Sequence, residues 1–104
     1  MAEAVKIAEP GELPPGGRKL VEVDGRALAL FRIDDDYYAI DDVCTHDGGP
    51  LAEGDLTGCI IECPRHGGEF DVRTGEAVRF PAVEPVPTHA VEVRGDGVYV
   101  RIED

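Results

Sequence analysis

Two short stretches, Cys44-Thr45-His46 and Cys63-Pro64-Arg65-His66, each combine one cysteine with one histidine. Sixteen residues, 47–62, separate the two stretches. Each follows a segment that the sequence predicts to be a β-strand, one ending at Asp41 and the other at Glu62. Both stretches can therefore lie on neighbouring loops at one end of a sheet. Two thiolates and two imidazoles brought together in this way form a four-ligand metal site.

The order of these ligands along the chain indicates which metal group they suit. Zinc fingers usually pair cysteine with cysteine and histidine with histidine, whereas each stretch here holds one of each. The order fits a [2Fe–2S] cluster in which one iron binds both cysteines and the other binds both histidines. One such stretch alone would be better explained by a buried thiol and a surface histidine. Two of them at this separation favour the metal site.

The residues around both stretches resemble the Rieske family, and in particular the Rieske ferredoxins of bacterial aromatic-ring dioxygenase systems. The resemblance implies that Cys44 and Cys63 bind the buried iron, that His46 and His66 bind the outer iron, and that each chain carries one [2Fe–2S] cluster. It covers nearly the whole chain and is carried by these residues: Cys44-Thr45-His46, Gly49-Pro50-Leu51, Gly54, Glu62-Cys63-Pro64, His66-Gly67-Gly68, Phe70-Asp71, Thr74-Gly75, Pro81, Pro85 and Gly97-Val98-Tyr99-Val100.

The resemblance also implies a function. A chain of this kind is expected to be a one-electron carrier that meets its partners transiently, taking electrons from an NAD(P)H-dependent flavoprotein reductase and passing them to a terminal non-haem iron oxygenase. It is not expected to be an enzyme or to have catalytic residues. An oxygenase needs a further iron site, typically two histidines and a carboxylate. His89 is the one histidine outside the two stretches, and we expect it to have a packing role.

Two alternatives remain open at this stage. A Rieske-like small subunit of a redox enzyme such as nitrite reductase would have the same fold, although many such subunits lack the ligands. A zinc-binding interaction module with two cysteine and two histidine ligands would use the same four side chains. A tight complex with a larger subunit would favour the first alternative. A colourless protein with bound zinc and no sulfide would favour the second.

Departures from the respiratory Rieske proteins predict the reduction potential. By resemblance, the two cysteines of the disulfide in those proteins fall at Gly49 and Arg65, and their two hydroxyl donors fall at Gly68 and Phe70. Because these donors are absent here, we expect a potential at the low end of the Rieske range, about −150 mV. Arg65 is either a solvated surface charge or a cation that acts on the neighbouring His66.

The spacing of turn residues predicts an all-β fold, since turn signals recur every eight to twelve residues. Two of these signals, Asp24-Gly25 and Gly95-Asp96-Gly97, each predict a hairpin. The resemblance implies a Rieske-type antiparallel β-sandwich with a small cluster-binding subdomain formed by two loops, at about 42–51 and 62–70. At 104 residues the chain is expected to form a single domain, 1–104. We expect a helical turn at 9–13 and an extended surface loop at 81–87. The predicted strands are Val5–Ala8, Lys19–Val23, Ala27–Ile33, Tyr37–Asp41, Cys59–Glu62, Ala90–Arg94 and Val98–Ile102.

Composition limits the partners and the location of the chain. The net charge is −12, from 22 acidic and 10 basic residues, which argues against nucleic acid and allows a positively charged protein partner. No apolar stretch approaches a membrane span, and residues 1–4 show no signal peptide, so we expect a cytoplasmic protein with no membrane partner. A monomer is the simplest form for such a carrier. Cys59, the third cysteine, is expected to be a small buried hydrophobic residue.

Overall fold

The computed structural model describes residues 4–44, 50–65 and 67–102, and every regular element within these ranges is a β-strand. All the strand pairs are antiparallel, so the predicted all-β fold is confirmed. The same ranges contain no helix long and apolar enough to cross a membrane. The strands are β1 (Val5–Ala8), β2 (Arg18–Val23), β3 (Arg26–Ile33), β4 (Asp36–Asp41), β5 (Asp55–Thr57), β6 (Ile60–Glu62), β7 (Glu69–Asp71), β8 (Ala77–Arg79), β9 (Thr88–Arg94) and β10 (Gly97–Arg101).

The ten strands form two sheets. The larger sheet has the order β1-β10-β9-β4-β3-β2, and the smaller has the order β5-β6-β7-β8. The larger sheet is joined in its middle by only two residue pairs, Ala39 with His89 and Ile40 with Thr88. Residues from its opposite ends nevertheless meet in one buried cluster, so the sheet curls and its two halves pack face to face. This cluster consists of Ile7, Ala8, Leu13, Val23, Leu28, Leu30, Ala39, Val98 and Val100.

Strand β3 lies between two hydrophobic cores. Leu28 and Leu30 point into the core of the larger sheet, whereas Ala29 and Phe31 belong to a second core shared with the smaller sheet. All four side chains are inaccessible to solvent. Side chains along a strand alternate between its faces, so an uninterrupted apolar run is what a strand buried on both sides requires. The smaller sheet and its loops are therefore packed against the outer face of β3.

Two-residue turns connect the hairpins of the larger sheet. Val23 pairs with Arg26, and the intervening Asp24 and Gly25 have φ values of +52° and +79°. Positive φ at both positions is what a type I′ turn requires, and such turns match the twist of the strands. The predicted hairpin at Asp24-Gly25 is thus confirmed. Arg94 pairs with Gly97, which confirms the second predicted hairpin.

The structure differs from the sequence-based expectations in three places. Strands β5, β7 and β8 of the smaller sheet were not predicted. Residues 9–13 form a turn in which the amide of Glu12 donates to the carbonyl of Glu9 over 3.1 Å, and no helix is present there. Residues 81–87 contain no strand, as expected, but Ala82 and Val86 in this loop are buried. These two side chains anchor the loop to the second core, so it is not simply a surface loop.

Candidate metal centre

The two cysteines of the sequence motifs lie in the same buried core. Cys44 follows β4 by three residues, and Cys63 comes directly after β6. Each is only 1% exposed, and both belong to the core cluster that contains Phe31 and Phe70. Neither forms a disulfide. The fold thus brings together two reduced thiols that lie 19 positions apart in the sequence, at the starts of two loops.

A carboxylate closes the base of the first loop. Oδ1 of Asp42 accepts hydrogen bonds from the backbone amides of Leu51 and Ala52, each at 2.7 Å. The amide of Asp42 donates to the carbonyl of Ala27 in β3 over 3.0 Å. The residues before and after the segment 43–50 are therefore fixed to each other and to the sheet. Cys44 sits just inside this closure.

Backbone hydrogen bonds close the second loop. The amide of Cys63 donates to the carbonyl of Gly68 over 2.7 Å, and the amide of Gly67 donates to the carbonyl of Cys63 over 3.1 Å. Gly67 has a φ of +80°, a left-handed conformation that favours glycine. Gly68 lies so close to the 81–87 loop that a Cβ atom there would be 2.9 Å from Cβ of Ala82. The chain therefore turns tightly immediately after Cys63.

Cys44 and Cys63 are within the described residues, whereas His46 and His66 lie outside them. Gly48 and Gly49 of the first loop lie outside them as well. In the part of the chain that the structure describes, no group of three or more potential metal ligands comes together. This is expected, because only two of the four predicted ligands lie among the described residues. The two described donors fit a cluster, because two buried cysteines that form no disulfide open two closed loops within one core.

Arg65 and Cys59 occupy different environments near the second loop. Arg65 is exposed at the tip of this loop, between Pro64 and the predicted ligand His66. Cys59 is partly buried and packs against the core that holds Cys63, in line with the expectation of a small hydrophobic residue. Its carbonyl accepts a hydrogen bond from the amide of Val72 over 2.9 Å. Cys59 thus packs against the core with its side chain and forms a backbone hydrogen bond within the smaller-sheet region.

His89 is buried in β9 and contacts a carboxylate near the first loop. Its side chain is inaccessible to solvent, and its Nε2 donates to Oδ1 of Asp41 over 2.7 Å. Asp41 ends β4, three residues before Cys44, and its Oδ1 is also 4.0 Å from Nε of Arg26. The interior position agrees with the packing role expected for His89. The contact with Asp41 could not be found from sequence, because 48 positions separate the two residues.

An ion pair supports the turn that follows β7. Arg73 donates through Nη2 to Oδ2 of Asp71 over 2.9 Å, and the amide of Arg73 donates to Oδ1 over 2.9 Å. The side-chain hydrogen bond from Arg73 is the main reason why the pKa of Asp71 lies below its ordinary value. The carboxylate raises the pKa of Arg73 in return. This ion pair stabilises the turn of the hairpin formed by β7 and β8. Strand β8 leads into the 81–87 loop, which lies against Gly68.

Comparison with known proteins identifies relatives along almost the full chain. A family model described as a Rieske [2Fe-2S] domain matches residues 3–90. Ferredoxin CarAc of Metapseudomonas resinovorans is 40% identical over 97 residues, which are 92% of this chain and 91% of the relative. The ferredoxin component of a naphthalene 1,2-dioxygenase system from Pseudomonas aeruginosa is 39% identical over 86% of both chains.

A solved structure shows the same fold. A chain in the complex of reduced oxygenase and oxidized ferredoxin in carbazole 1,9a-dioxygenase superposes with a TM-score of 0.90. It is 39% identical, and the match covers 94% of this chain and 92% of that one. The similarity in sequence and the similarity in fold therefore both extend over nearly the whole chain.

Proposed function

The chain belongs to the Rieske [2Fe-2S] domain family, and we propose that it carries single electrons from an NAD(P)H-dependent flavoprotein ferredoxin reductase to a terminal non-haem iron oxygenase. One observation carries this proposal. Two buried cysteines that form no disulfide open two closed loops in one core, and each is followed by a histidine two or three positions later. Two relatives that match most of the chain are ferredoxin CarAc and the ferredoxin component of a naphthalene 1,2-dioxygenase system, which supports a carrier role.

The four ligands in this proposal are Cys44 and Cys63 for one iron and His46 and His66 for the other. The bound cluster would accept one electron and release it again, at a potential above that of a four-cysteine cluster because two neutral imidazoles replace two thiolates. We place one such cluster in a single domain formed by residues 1–104, with the ligands on loops at about 42–51 and 62–70.

Residues of the second core shield the cysteine side of the site. Leu51, Ile61 and Phe70 are each inaccessible to solvent and belong to the same cluster as the two cysteines. A low-dielectric surrounding of this kind lowers the potential of a negatively charged centre, because the reduced form carries one more charge. The core therefore excludes water from the thiolates, while electrons would enter and leave at the loop tips.

The chain is an electron-transfer component and not the oxygenase itself. The typical oxygenase iron site needs two histidines and a carboxylate. With His46 and His66 assigned to the cluster, His89 is the one remaining histidine, and it is buried against Asp41. We further propose that the carrier is cytoplasmic, monomeric and only transiently bound to its partners, because a carrier must leave one partner to reach the next.

The experiment that tests this function combines analysis and reconstitution. Anaerobically purified protein should contain two irons and two sulfides per chain, with a reduced-state EPR signal averaging below the free-electron g value. It should then restore substrate oxidation by a naphthalene 1,2-dioxygenase system from which the ferredoxin component has been omitted. Zinc without sulfide would overturn the cluster. An intact cluster combined with purification only as a tight complex with a larger redox subunit would overturn the carrier role.

A further inference from the structure

The two most exposed large apolar side chains among the described residues are three positions apart in the segment after β8. Phe80 is 81% exposed and Val83 is 73% exposed, and Val78 in β8 is also exposed. The other exposed large hydrophobic residues lie on separate strands of the larger sheet: Val5 on β1, Leu20 on β2 and Val93 on β9. Single exposed hydrophobic residues are normal, whereas a contiguous group more often marks an interaction site.

This apolar patch, defined as Val78, Phe80 and Val83, is attached to the second cysteine-bearing loop. Ala82, between the two most exposed residues, is buried and lies against Gly68, where an added Cβ would be 2.9 Å from Cβ of Ala82. Gly68 in turn accepts the hydrogen bond from the amide of Cys63. The same short segment therefore inserts one small side chain against the loop and leaves Phe80 and Val83 in solvent.

Carboxylates also lie beside the second loop. Glu53, Asp55 and Glu62 line a cavity of about 230 Å³ together with Cys63 and Pro64. The chain as a whole has a net charge of −12. The second loop is thus next to both an exposed apolar segment and a group of carboxylates. A complementary partner would present an apolar patch with basic residues beside it, since protein interfaces combine an apolar centre with a polar rim.

We infer that Phe80 and Val83 form the apolar contact between this chain and the terminal oxygenase. This inference rests on the electron-carrier function proposed above. Continuity with the cysteine-bearing loop supports this choice, because electrons must leave near the cluster. The solved complex of a 39% identical chain is a complex of oxygenase and ferredoxin, which makes the oxygenase the first partner to test. In this contact one electron leaves the reduced cluster of this chain, which is oxidised, and reduces the oxygenase.

The test measures electron transfer from the chemically reduced holoprotein by stopped-flow absorption. The acceptors are the terminal oxygenases of a carbazole 1,9a-dioxygenase and a naphthalene 1,2-dioxygenase, and the faster one is used for the variants. Because a few buried anchor residues carry most of the energy of an interface, Phe80→Ser/Val83→Ser should lower the second-order rate constant by about tenfold or more, which corresponds to about 1.4 kcal/mol. The reduction potential and the EPR spectrum should not change, because neither side chain is a ligand.

The controls remove other exposed apolar side chains. Val5→Ser and Val93→Ser change residues that are 38% and 61% exposed on the larger sheet, and their rate constants should stay within about twofold of the wild-type value. Equal rates for the double variant and the wild type, or equal losses in the controls, would overturn the contact while leaving the carrier function intact. If the double variant accepts electrons from the flavoprotein reductase more slowly but passes them to the oxygenase at the wild-type rate, the assignment to the oxygenase would also be overturned. Failure of the wild type with both oxygenases would instead count against the proposed function.

Discussion

The carboxylate of Asp42 accepts a hydrogen bond from the amide of Leu51 across the whole of the first cysteine-bearing loop, at 2.7 Å. The amide of Ala52 donates to the same oxygen. Leu51 is itself inaccessible to solvent, so an amide that loses this acceptor cannot readily exchange it for water. One side chain thus fixes the two ends of the loop that begins at Cys44.

Replacing Asp42 by Ala should therefore destabilise the loop and the bound cluster. Two buried amides would lose their acceptor, and we expect a loss of about 1–3 kcal/mol in unfolding free energy. Visible absorption should also disappear faster in the presence of a chelator. Asp42→Asn keeps an acceptor oxygen and should be affected less. Asp35→Ala removes a fully exposed carboxylate with the same change of charge, and comparable losses in this control would contradict the explanation.

The three cysteines provide a second prediction. Cys63→Ser should yield a colourless protein that melts at a lower temperature, because a hard hydroxyl replaces a thiolate ligand in the core. Cys59→Ser serves as the matched control, since Cys59 is partly buried beside the same core but lies outside the ligand set. It should retain iron, sulfide and the EPR signal. An intact visible spectrum in Cys63→Ser would refute the ligand assignment.

Most of the larger sheet could be predicted from the sequence, because its signals are local. Long apolar segments such as β3 and turns such as Asp24-Gly25 specify strands and hairpins within a few residues. The three-residue strands β5 and β7 lack such a signal. Each has one apolar residue, Leu56 or Phe70, between acidic or polar neighbours, and each becomes a strand only by pairing with β6.

The candidate site was predictable to a similar extent. The positions of Cys44 and Cys63 follow from their motifs, and the structure brings both into one core. The assignments of His46 and His66 stay predictions, since both lie outside the described residues. The contacts of Asp42 and of His89 with Asp41 depend on how distant segments pack, so no sequence pattern reveals them.

Gly54 is expected to tolerate no side chain. A Cβ atom at this position would lie 1.8 Å from the carbonyl oxygen of Glu62, the residue before Cys63, so the backbone must move. We expect Gly54→Ala to lower the unfolding free energy by about 1–3 kcal/mol, as overpacking commonly does. Gly95→Ala is the control, because a Cβ there has no atom within 4 Å of it. Similar melting temperatures for both variants would exclude the steric explanation.

The ion pair between Asp71 and Arg73 should make stability depend on pH in the acidic range. The pKa of Asp71 is lowered in the folded state, chiefly by the side-chain hydrogen bond from Arg73. Its stabilising contribution is therefore present above the unfolded-state pKa of about 3.9 and is lost as pH falls through the lower folded-state pKa. Arg73→Gln should be slightly less stable than the wild type at pH 7, because solvent screens a pair whose arginine is exposed. Urea titrations should show this difference shrinking below about pH 4, and a difference that stays constant down to pH 2 would contradict it.

The absence of hydroxyl donors at Gly68 and Phe70 should give a low reduction potential. Fewer hydrogen bonds to the cluster stabilise its reduced, more negative form less, so redox titration should give a midpoint near about −150 mV. A serine at position 68 should not fit by itself, because its Cβ would be 2.9 Å from Cβ of Ala82. Gly68→Ser should therefore destabilise the protein. Gly68→Ser/Ala82→Gly should recover only part of the stability, because the backbone nitrogen of residue 82 would still lie 3.1 Å from the new Cβ, and it should shift the midpoint upward. A clearly positive midpoint in the wild type would contradict the argument from missing donors. If the double variant has the wild-type midpoint, the missing hydroxyl at Gly68 does not lower the potential, and only the one at Phe70 remains as an explanation.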